Sequence, residues 1–269
     1  MKITFIGGGN MAQAILGGLV AKGQSARDCF VIEPYEAARA KLSAQGIESA
    51  VTWGARGLDA NVIVLAVKPQ MMKEAITPLN GVLHNQLVIS IAAGIRTRDL
   101  SRWLGAYAHI VRAMPNTPAL IHAGITGLYA MPGVAGAQRM AAEKLMAAVG
   151  KTLWFDDETM LDAVTAVSGS GPAYVFYMIE ALENAALGLG LAAPVARALA
   201  LETFLGGAKL AAQGRDSPAV LRANVTSKRG TTERAIEAFD AADLQSVFVA
   251  GVRAACARSV ELGEELGKN

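Results

Sequence analysis

The 269-residue sequence is poor in cysteine, in aromatic residues and in excess charge. Its two cysteines, Cys29 and Cys256, form no disulfide framework, so a reducing compartment is the simpler interpretation, although a single disulfide between them is left open. The 3 histidines have no Cys or His partner at metal-ligand spacing, which argues against a metal site. The 25 basic and 23 acidic residues leave a net charge of +2 with no block of one sign, which argues against nucleic acid or a polybasic membrane patch.

The sequence also lacks any run near the ~18–20 apolar residues that cross a bilayer. The apolar N-terminus is interrupted by the Gly-Gly-Gly-Asn cluster at 7–10 before a signal-peptide core can form. Hydrophobic residues still make up 52% of the chain, far too many for a disordered protein, while aromatics at 6% leave the core to aliphatic side chains. We therefore expect a soluble, cytoplasmic protein of about two domains.

The first half of the chain alternates short apolar runs with helical patterns. Strands are expected at 3–6, 29–32, 62–67, 87–92 and 109–114, with helices between them. Short, fully apolar strands that alternate with amphipathic helices indicate a parallel sheet covered on both faces. The pattern predicts an α/β domain of the Rossmann type, with a doubly wound parallel sheet, over residues 1–156.

The pattern changes in the second half, which shows helical periodicity, Gly/Pro punctuation and no convincing strand. We therefore predict an all-α C-terminal domain over residues 157–269. The stretch 173–189 within it is apolar almost all round. Because such a helix must be buried on more than one side, a partner subunit is expected to cover part of it.

A glycine cluster follows the first predicted strand and opens the first helix. Gly7, Gly9 and Ala12 fit the G-x-G-x-x-A pattern, in which the glycines permit a tight turn and close approach of a pyrophosphate. The amides at the helix start, where Asn10 and Met11 lie, hold the negative charge. These five residues are predicted to bind a dinucleotide.

Glu33 stands at the end of the second predicted strand. An acid there accepts hydrogen bonds from the ribose 2′-hydroxyl and repels a 2′-phosphate, which favours NAD(H) over NADP(H). The alternative is a solvated acid before a proline turn. Arg39, on the next predicted helix, is within reach of the same place.

Four further segments carry polar or turn-forming residues. The segment 66–69 (Ala-Val-Lys-Pro) ends a strand at the edge where Rossmann ligands bind. Two others are 112–118 (Arg-Ala-Met-Pro-Asn-Thr-Pro) and 168–172 (Ser-Gly-Ser-Gly-Pro). The loop 224–232 is polar within an apolar helical region, and its amides and hydroxyls are suited to a carboxylate nest. The alternative for each is ordinary core, cap or turn chemistry.

Taken together and in this order, the motifs resemble the pyrroline-5-carboxylate reductase family over nearly the full chain. The resemblance includes Ser-Ile-Ala-Ala-Gly at 90–94, Met-Pro-Asn-Thr-Pro at 114–118 and the late Gly-Thr-Thr at 230–232. It implies hydride transfer from NAD(P)H to the imine carbon of 1-pyrroline-5-carboxylate, giving L-proline in the last step of proline biosynthesis. It also implies a homodimer through the C-terminal helices, sometimes assembled further into larger rings.

The resemblance also assigns site residues. The family's carboxylate-binding loop falls on Ser227, Gly230, Thr231 and Thr232, and Thr232 matches the catalytic threonine whose hydroxyl faces the ring nitrogen. The cofactor contacts fall on the 7–12 turn and on Asn224, Ala66, Val67, Lys68 and Pro69.

Two features depart from the family. Many members have Pro-Gly where this chain has Lys228 and Arg229, and Glu33 stands where a hydroxyl or basic residue is common. Both departures concern the cofactor or the surroundings of the substrate rather than the reaction. No histidine or carboxylate stands in a predicted substrate motif, so orientation and an already protonated imine are expected to carry the chemistry.

Two rival classes share the Rossmann turn. The β-hydroxyacid dehydrogenases use a lysine on the long helix of the second domain, but here no lysine follows Gly171 until Lys209, on another predicted helix. A nicotinamide-sensing regulator does not need the polar 224–232 loop and is expected to carry an interaction or DNA-binding element. No such element is visible in the sequence.

Overall fold

The structure, a computed structural model, describes residues 1–268 and divides into two compact units. The first unit comprises Met1–Ser170 and the C-terminal segment from Ala255, and the second comprises Gly171–Ala254. This division differs from the predicted one after residue 156. Residues 157–170 and the last part of the final helix belong with the sheet, because their side chains pack and hydrogen-bond against it.

The first unit contains one eight-stranded sheet. Its strands are β1 Ile3–Ile6, β2 Cys29–Ile32, β3 Glu48–Ala50, β4 Val62–Leu65, β5 Leu87–Ser90, β6 Ile110–Met114, β7 Gly124–Ala130 and β8 Gly150–Phe155. Their spatial order is β3-β2-β1-β4-β5-β6-β7-β8. Strands β1 to β6 are parallel, β7 is antiparallel to β6, and β8 is parallel to β7. The predicted Rossmann-type class is confirmed.

Three strands were not expected from the sequence. Strand β3 is only three residues long and lies at the sheet edge, so it shows no apolar run. Strand β7 carries glycines at 124 and 127, and β8 alternates exposed and half-buried residues. These two strands extend the sheet beyond the parallel core.

The sheet is covered on both faces because its central strands, such as β4, are buried and apolar along their whole length. Val64 belongs to the core cluster that includes Ile15 and Leu16, and Leu65 belongs to the other cluster, with Met72 and Ile76. Successive side chains of a strand point to opposite faces, so one continuous apolar run supplies both cores.

Helices complete both units. In the first unit they are α1 Asn10–Ala21, α2 Glu36–Ala44, α3 Ala55–Leu58, α4 Met72–Ile76, α5 Thr97–Trp103, α6 Gly136–Met146 and α7 Met160–Val164. A π-helical turn, Thr165–Gly169, follows α7. The next helices are α8 Gly171–Gly188, α9 Ala193–Gln213, α10 Pro218–Asn224, α11 Thr231–Ala241 and α12 Leu244–Gly267.

The second unit exposes many large apolar side chains. Examples on α8, α9 and α12 are Phe176, Tyr177, Leu199, Leu205 and Val247. Exposed apolar side chains at this density on one unit mark a surface that another protein surface covers. Within residues 1–268, none of the helices is long and apolar enough to cross a membrane.

Candidate active site

The glycine turn after β1 has a backbone that only glycine fits. Gly7 has a φ of +96°, and an added Cβ would lie 2.8 Å from the carbonyl oxygen of Ala66. The Gly7 amide donates to the carbonyl of Ile32 at 2.8 Å. The turn therefore closes tightly against the ends of both neighbouring strands, β2 and β4.

Gly8 is held from two sides. Its amide donates to Glu33 Oε2 at 2.7 Å, and its carbonyl accepts from Gln13 Nε2 at 2.6 Å. The other carboxylate oxygen of Glu33 accepts from the Tyr35 amide at 2.9 Å. Glu33 is only 5% exposed, so it is not the solvated acid of the alternative interpretation. Its carboxylate organises the glycine turn.

The start of α1 is suited to an anion. Gly9 precedes the helix, and a Cβ added there would meet no atom within 4 Å. No side chain caps the helix and its first turn holds no acid, so the first-turn amides around Asn10 and Met11 are available to a pyrophosphate. Ala12 is buried in the core, where its small size lets the helix approach the sheet. These residues fit a dinucleotide.

Arg39, on α2, lies at the end of β2. Its Nη1 donates to the carbonyl of Glu33 at 2.9 Å and to that of Pro34 at 2.6 Å. A buried carboxylate and a partly exposed cation therefore stand at the same strand end. This is where a doubly wound sheet receives the adenosine ribose.

The segment after β4 completes the crevice. The amide of Ala66 donates to the carbonyl of Ile6 at 2.8 Å, which places Ala66 beside the glycine turn. Val67 packs on the core, Lys68 is exposed, and Pro69 begins a short 3-10 turn. The structure thus gathers the predicted residues of 7–12, 33 and 66–69 at the carboxyl edge of β1, β2 and β4. Strand order reverses there, between β1 and β4.

The second unit carries the remaining predicted residues. Asn224 ends α10, Ser227 and Gly230 lie in the loop, and Thr231 and Thr232 are the first residues of α11. The Gly230 amide donates to the Ser227 carbonyl at 3.0 Å and so closes a tight turn. Four of these residues therefore lie at the start of α11, and Asn224 lies at the end of the preceding helix.

The tight turn has an unusual third residue. Arg229 has a φ of +60°, in the left-handed region, and its amide donates to Glu233 Oε2 at 2.5 Å. A pocket of about 460 Å³ lies beside it, lined by Arg229, Gly230, Thr231, Glu233, Arg234 and Glu237. The first turn of α11 also carries the acid Glu233. Binding of a carboxylate by the amides at this helix start stays a prediction.

A buried polar cluster beside β6 was missed by sequence reasoning. Arg112 is almost fully buried, and its Nη1 lies 3.3 Å from Glu158 Oε1. The Glu158 carboxylate also accepts from the amide and hydroxyl of Thr97, each at 2.7 Å. Asp162 lies 4.0 Å from Arg112 Nη2 and accepts from the Ser259 hydroxyl at 2.7 Å. The only signal in the sequence is a charged residue inside an otherwise apolar strand.

The sheet order and the glycine turn define the class, a Rossmann-type dinucleotide-binding protein whose sheet is followed by helices. Two family models match the chain. The first, described as NADP oxidoreductase coenzyme F420-dependent, matches residues 2–94, and the second, described as pyrroline-5-carboxylate reductase dimerisation, matches residues 158–262.

Individual relatives are similar over the whole chain. Pyrroline-5-carboxylate reductase of Pseudomonas aeruginosa is 46% identical, over 99% of this chain and 98% of that protein. The solved pyrroline-5-carboxylate reductase of Coxiella burnetii has a TM-score of 0.91 at 40% identity, covering 97% of this chain and 98% of that one. Plasmodium falciparum pyrroline carboxylate reductase, solved with NADP bound, has a TM-score of 0.88 at 25% identity, covering 98% of each chain. The chain belongs to the pyrroline-5-carboxylate reductase family, which confirms the prediction from its motifs.

Proposed function

We propose that this protein reduces 1-pyrroline-5-carboxylate to L-proline with NAD(P)H, the last step of proline biosynthesis. The observation that carries the proposal is the glycine turn. It packs against Ala66 at Gly7, leaves free space at Gly9, and leads into a helix that no side chain caps. Family membership over the full chain supplies the substrate. When bound, the cofactor supplies a hydride.

Binding and orientation of the substrate are assigned to the 224–232 loop of the second unit. The amides of Thr231 and Thr232, with Ser227 and Gly230, hold the substrate carboxylate at the start of α11. The Thr232 hydroxyl oxygen then accepts from the N–H of the protonated ring nitrogen and fixes the imine carbon for attack. Because the imine takes its proton from water before attack, the residues need only orient it, which supplies up to ~7–11 kcal/mol in well-aligned systems. Asn224 is proposed as a further cofactor contact.

The cofactor crevice is proposed to comprise the 7–12 turn, Glu33 and the segment 66–69. Their gathering at the reversal of strand order supports this assignment. Glu33 disfavours the 2′-phosphate of NADPH, while Arg39 at the same strand end attracts it. We therefore propose that both cofactors are used and that these two residues set the ratio.

The working assembly is proposed to be a homodimer joined through the helices of the second unit. The exposed apolar side chains of α8, α9 and α12 support it, as does the dimerisation family that matches residues 158–262. Light scattering of the purified protein tests the proposal, since a dimer has twice the 28.0 kDa mass of one chain and a ring of dimers a higher multiple. The free thiols of Cys29 and Cys256 suit the reducing cytoplasm, the proposed location.

The test of the reaction is oxidation of NADH and of NADPH by purified protein, with and without 1-pyrroline-5-carboxylate. Oxidation that depends on the substrate, with proline as product, is the expected result. Protein that binds either cofactor but turns over neither would contradict the proposal and favour a nicotinamide sensor.

A further inference from the structure

One side-chain amide joins three segments at the end of β6. Asn116 Nδ2 donates to the carbonyl of Ser168 at 3.1 Å, and Asn116 Oδ1 accepts from the amide of Ile125 at 2.9 Å. Asn116 is only 9% exposed. It thus ties the turn after β6 both to the start of β7 and to the π-helical turn that follows α7.

The bonded carbonyl is one that the helix cannot satisfy by itself. In a regular α-helix the Ser168 carbonyl accepts from the amide four residues later, but that residue is Pro172, which has no amide proton. The local backbone instead forms the wider turn, in which Ser170 N donates to Thr165 O at 2.8 Å. Asn116 therefore supplies the donor that Pro172 lacks.

The π turn is also pressed against the sheet. A Cβ added to Gly169 would lie 2.6 Å from Met114 Cε, at the last residue of β6. Single π turns inside helices are often found at functional sites. The Asn116 bond and the close approach of Gly169 fix this turn in one place.

The position of the π turn matters because the order of the strands decides which half of the dinucleotide lies beside it. The end of β2, with Glu33, belongs to the adenosine half of a doubly wound sheet, so the half built by β4, β5 and β6 receives the nicotinamide nucleotide. Met114 and Asn116 follow β6 at the carboxyl edge of that half. The π turn is accordingly part of the wall at the nicotinamide end.

We propose that Asn116 is a positioning residue for hydride transfer. It holds the π turn against β6 and thereby fixes the wall beside the nicotinamide ring. This inference rests on the proposed function. Loss of the Asn116 donor leaves the Ser168 carbonyl unpaired and the wall free to shift. The Asn116 side chain bonds Ser168 and Ile125 rather than the 7–12 turn, so phosphate binding at that turn is expected to be unaffected.

The test compares Asn116→Ala and Asn116→Asp with Asn85→Ala, the control. Asn85 is exposed and bonds Gln138 Nε2 through its backbone carbonyl, at 3.2 Å, which alanine keeps. For Asn116→Ala we expect kcat to fall about 10- to 100-fold, the cost of a displacement near 1 Å, with an unchanged dissociation constant for NADPH. Asn85→Ala is expected to keep the wild-type kcat.

The aspartate variant adds a pH readout. Its ionised carboxylate cannot donate to the Ser168 carbonyl, but its protonated form can. Burial at this position raises the pKa of an introduced carboxyl above its usual value. We therefore expect the kcat of Asn116→Asp relative to wild type to recover as the pH is lowered, and that of Asn116→Ala to stay low. A general loss of stability does not produce this difference, and equal pH profiles for the two variants would overturn the proposal.

Fluorescence of bound NADPH separates this inference from the proposed reaction. At saturating cofactor, Asn116→Ala is expected to alter the nicotinamide emission and Asn85→Ala to leave it unchanged, whether or not substrate is present. If wild-type protein does not reduce 1-pyrroline-5-carboxylate, the reaction fails and the emission alone decides the inference. Wild-type emission and wild-type kcat in Asn116→Ala would overturn the positioning role.

Discussion

The carboxylate of Glu33 accepts a hydrogen bond from the Gly8 amide at 2.7 Å, across 25 residues of sequence. A residue predicted to contact the ribose is thus also a structural part of the turn that is proposed to bind the phosphates. We therefore expect removal of its charge to change the cofactor preference.

Glu33→Gln is expected to raise the preference for NADPH. The neutral amide keeps one oxygen to accept from Gly8 and loses the oxygen that accepts from the Tyr35 amide. Because it no longer repels a 2′-phosphate, the NADPH-to-NADH ratio of kcat/KM should rise about 5-fold, for a loss of ~1 kcal/mol of repulsion. Arg39→Gln should lower the same ratio. Glu36→Gln, which removes an exposed charge from the start of α2, is the control. If wild type and the three variants had equal NADPH-to-NADH ratios, neither Glu33 nor Arg39 would contribute to cofactor selection.

Thr232→Ala is expected to lower kcat and to leave NADPH affinity unchanged. The hydroxyl oxygen is proposed to act only on the substrate, by accepting from the N–H of its protonated ring nitrogen. The loss should therefore be about 100-fold, the cost of a misplaced reacting group. Thr232→Ser should recover most of the rate. Thr226→Ala is the matched control, because the Thr226 hydroxyl is already bonded to the Arg222 carbonyl at 2.6 Å. Steady-state kinetics with wild-type values for Thr232→Ala would exclude the role.

The sequence predicts the parallel core well because burial on both faces leaves continuous apolar strands. Cys29–Ile32 and Val62–Leu65 stand out for that reason. Strands β7 and β8 escape prediction since they are glycine-rich or alternate in exposure, and their pairing is decided by neighbours far along the chain. The same holds for the contact between Asn116 and Ser168. The motifs that contain these two residues are visible in the sequence, but nothing in it indicates that they pair across 52 residues.

Arg229→Gly is expected to stabilise the protein. Arg229 occupies the left-handed region, at a cost of about 1 kcal/mol for a residue with a Cβ, and glycine is the residue that such a turn position favours. Pro-Gly, common in the family at 228–229, fits this turn for the same reason. Arg229→Ala removes the same charge but keeps the backbone strain, so it is the matched control. Thermal unfolding at fixed protein concentration measures both, and a lower melting temperature for Arg229→Gly than for Arg229→Ala would contradict the explanation.

Glu158→Ala is expected to destabilise the first unit strongly. It leaves the buried Arg112 guanidinium with Asp162 at 4.0 Å as its remaining acid, and the loss should be about 3 kcal/mol, at the lower end for a broken buried pair. The triple variant Arg112→Met, Glu158→Leu, Asp162→Asn should recover much of that loss because it removes all three charges, and an asparagine oxygen can still accept from Ser259. Asp59→Ala, which breaks the exposed pair with Lys2, should stay close to wild type in urea unfolding. If the triple variant were less stable than Glu158→Ala, the account of this cluster would be wrong.

Tyr107 is expected to make the protein less stable in alkali. Its hydroxyl donates to the Gln86 carbonyl, and burial raises its pKa from 10.0 to about 12. Between those two values the unfolded chain has lost the phenol proton and the native protein keeps it. The free energy of unfolding therefore falls as the pH rises through this window, and the contribution is complete below pH 10.

Urea unfolding of wild type and Tyr107→Phe at a series of pH values from 9 to 11 measures this contribution. Cys29, whose pKa burial raises to about 11, adds a slope of the same sign to both proteins, so the difference between them reports Tyr107 alone. Tyr107→Phe loses a hydrogen bond at every pH, but its stability should fall less steeply than that of wild type. Tyr35→Phe, at a 67% exposed position, should keep the wild-type slope. Parallel curves for wild type and Tyr107→Phe would mean that the Tyr107 phenol does not control alkaline unfolding.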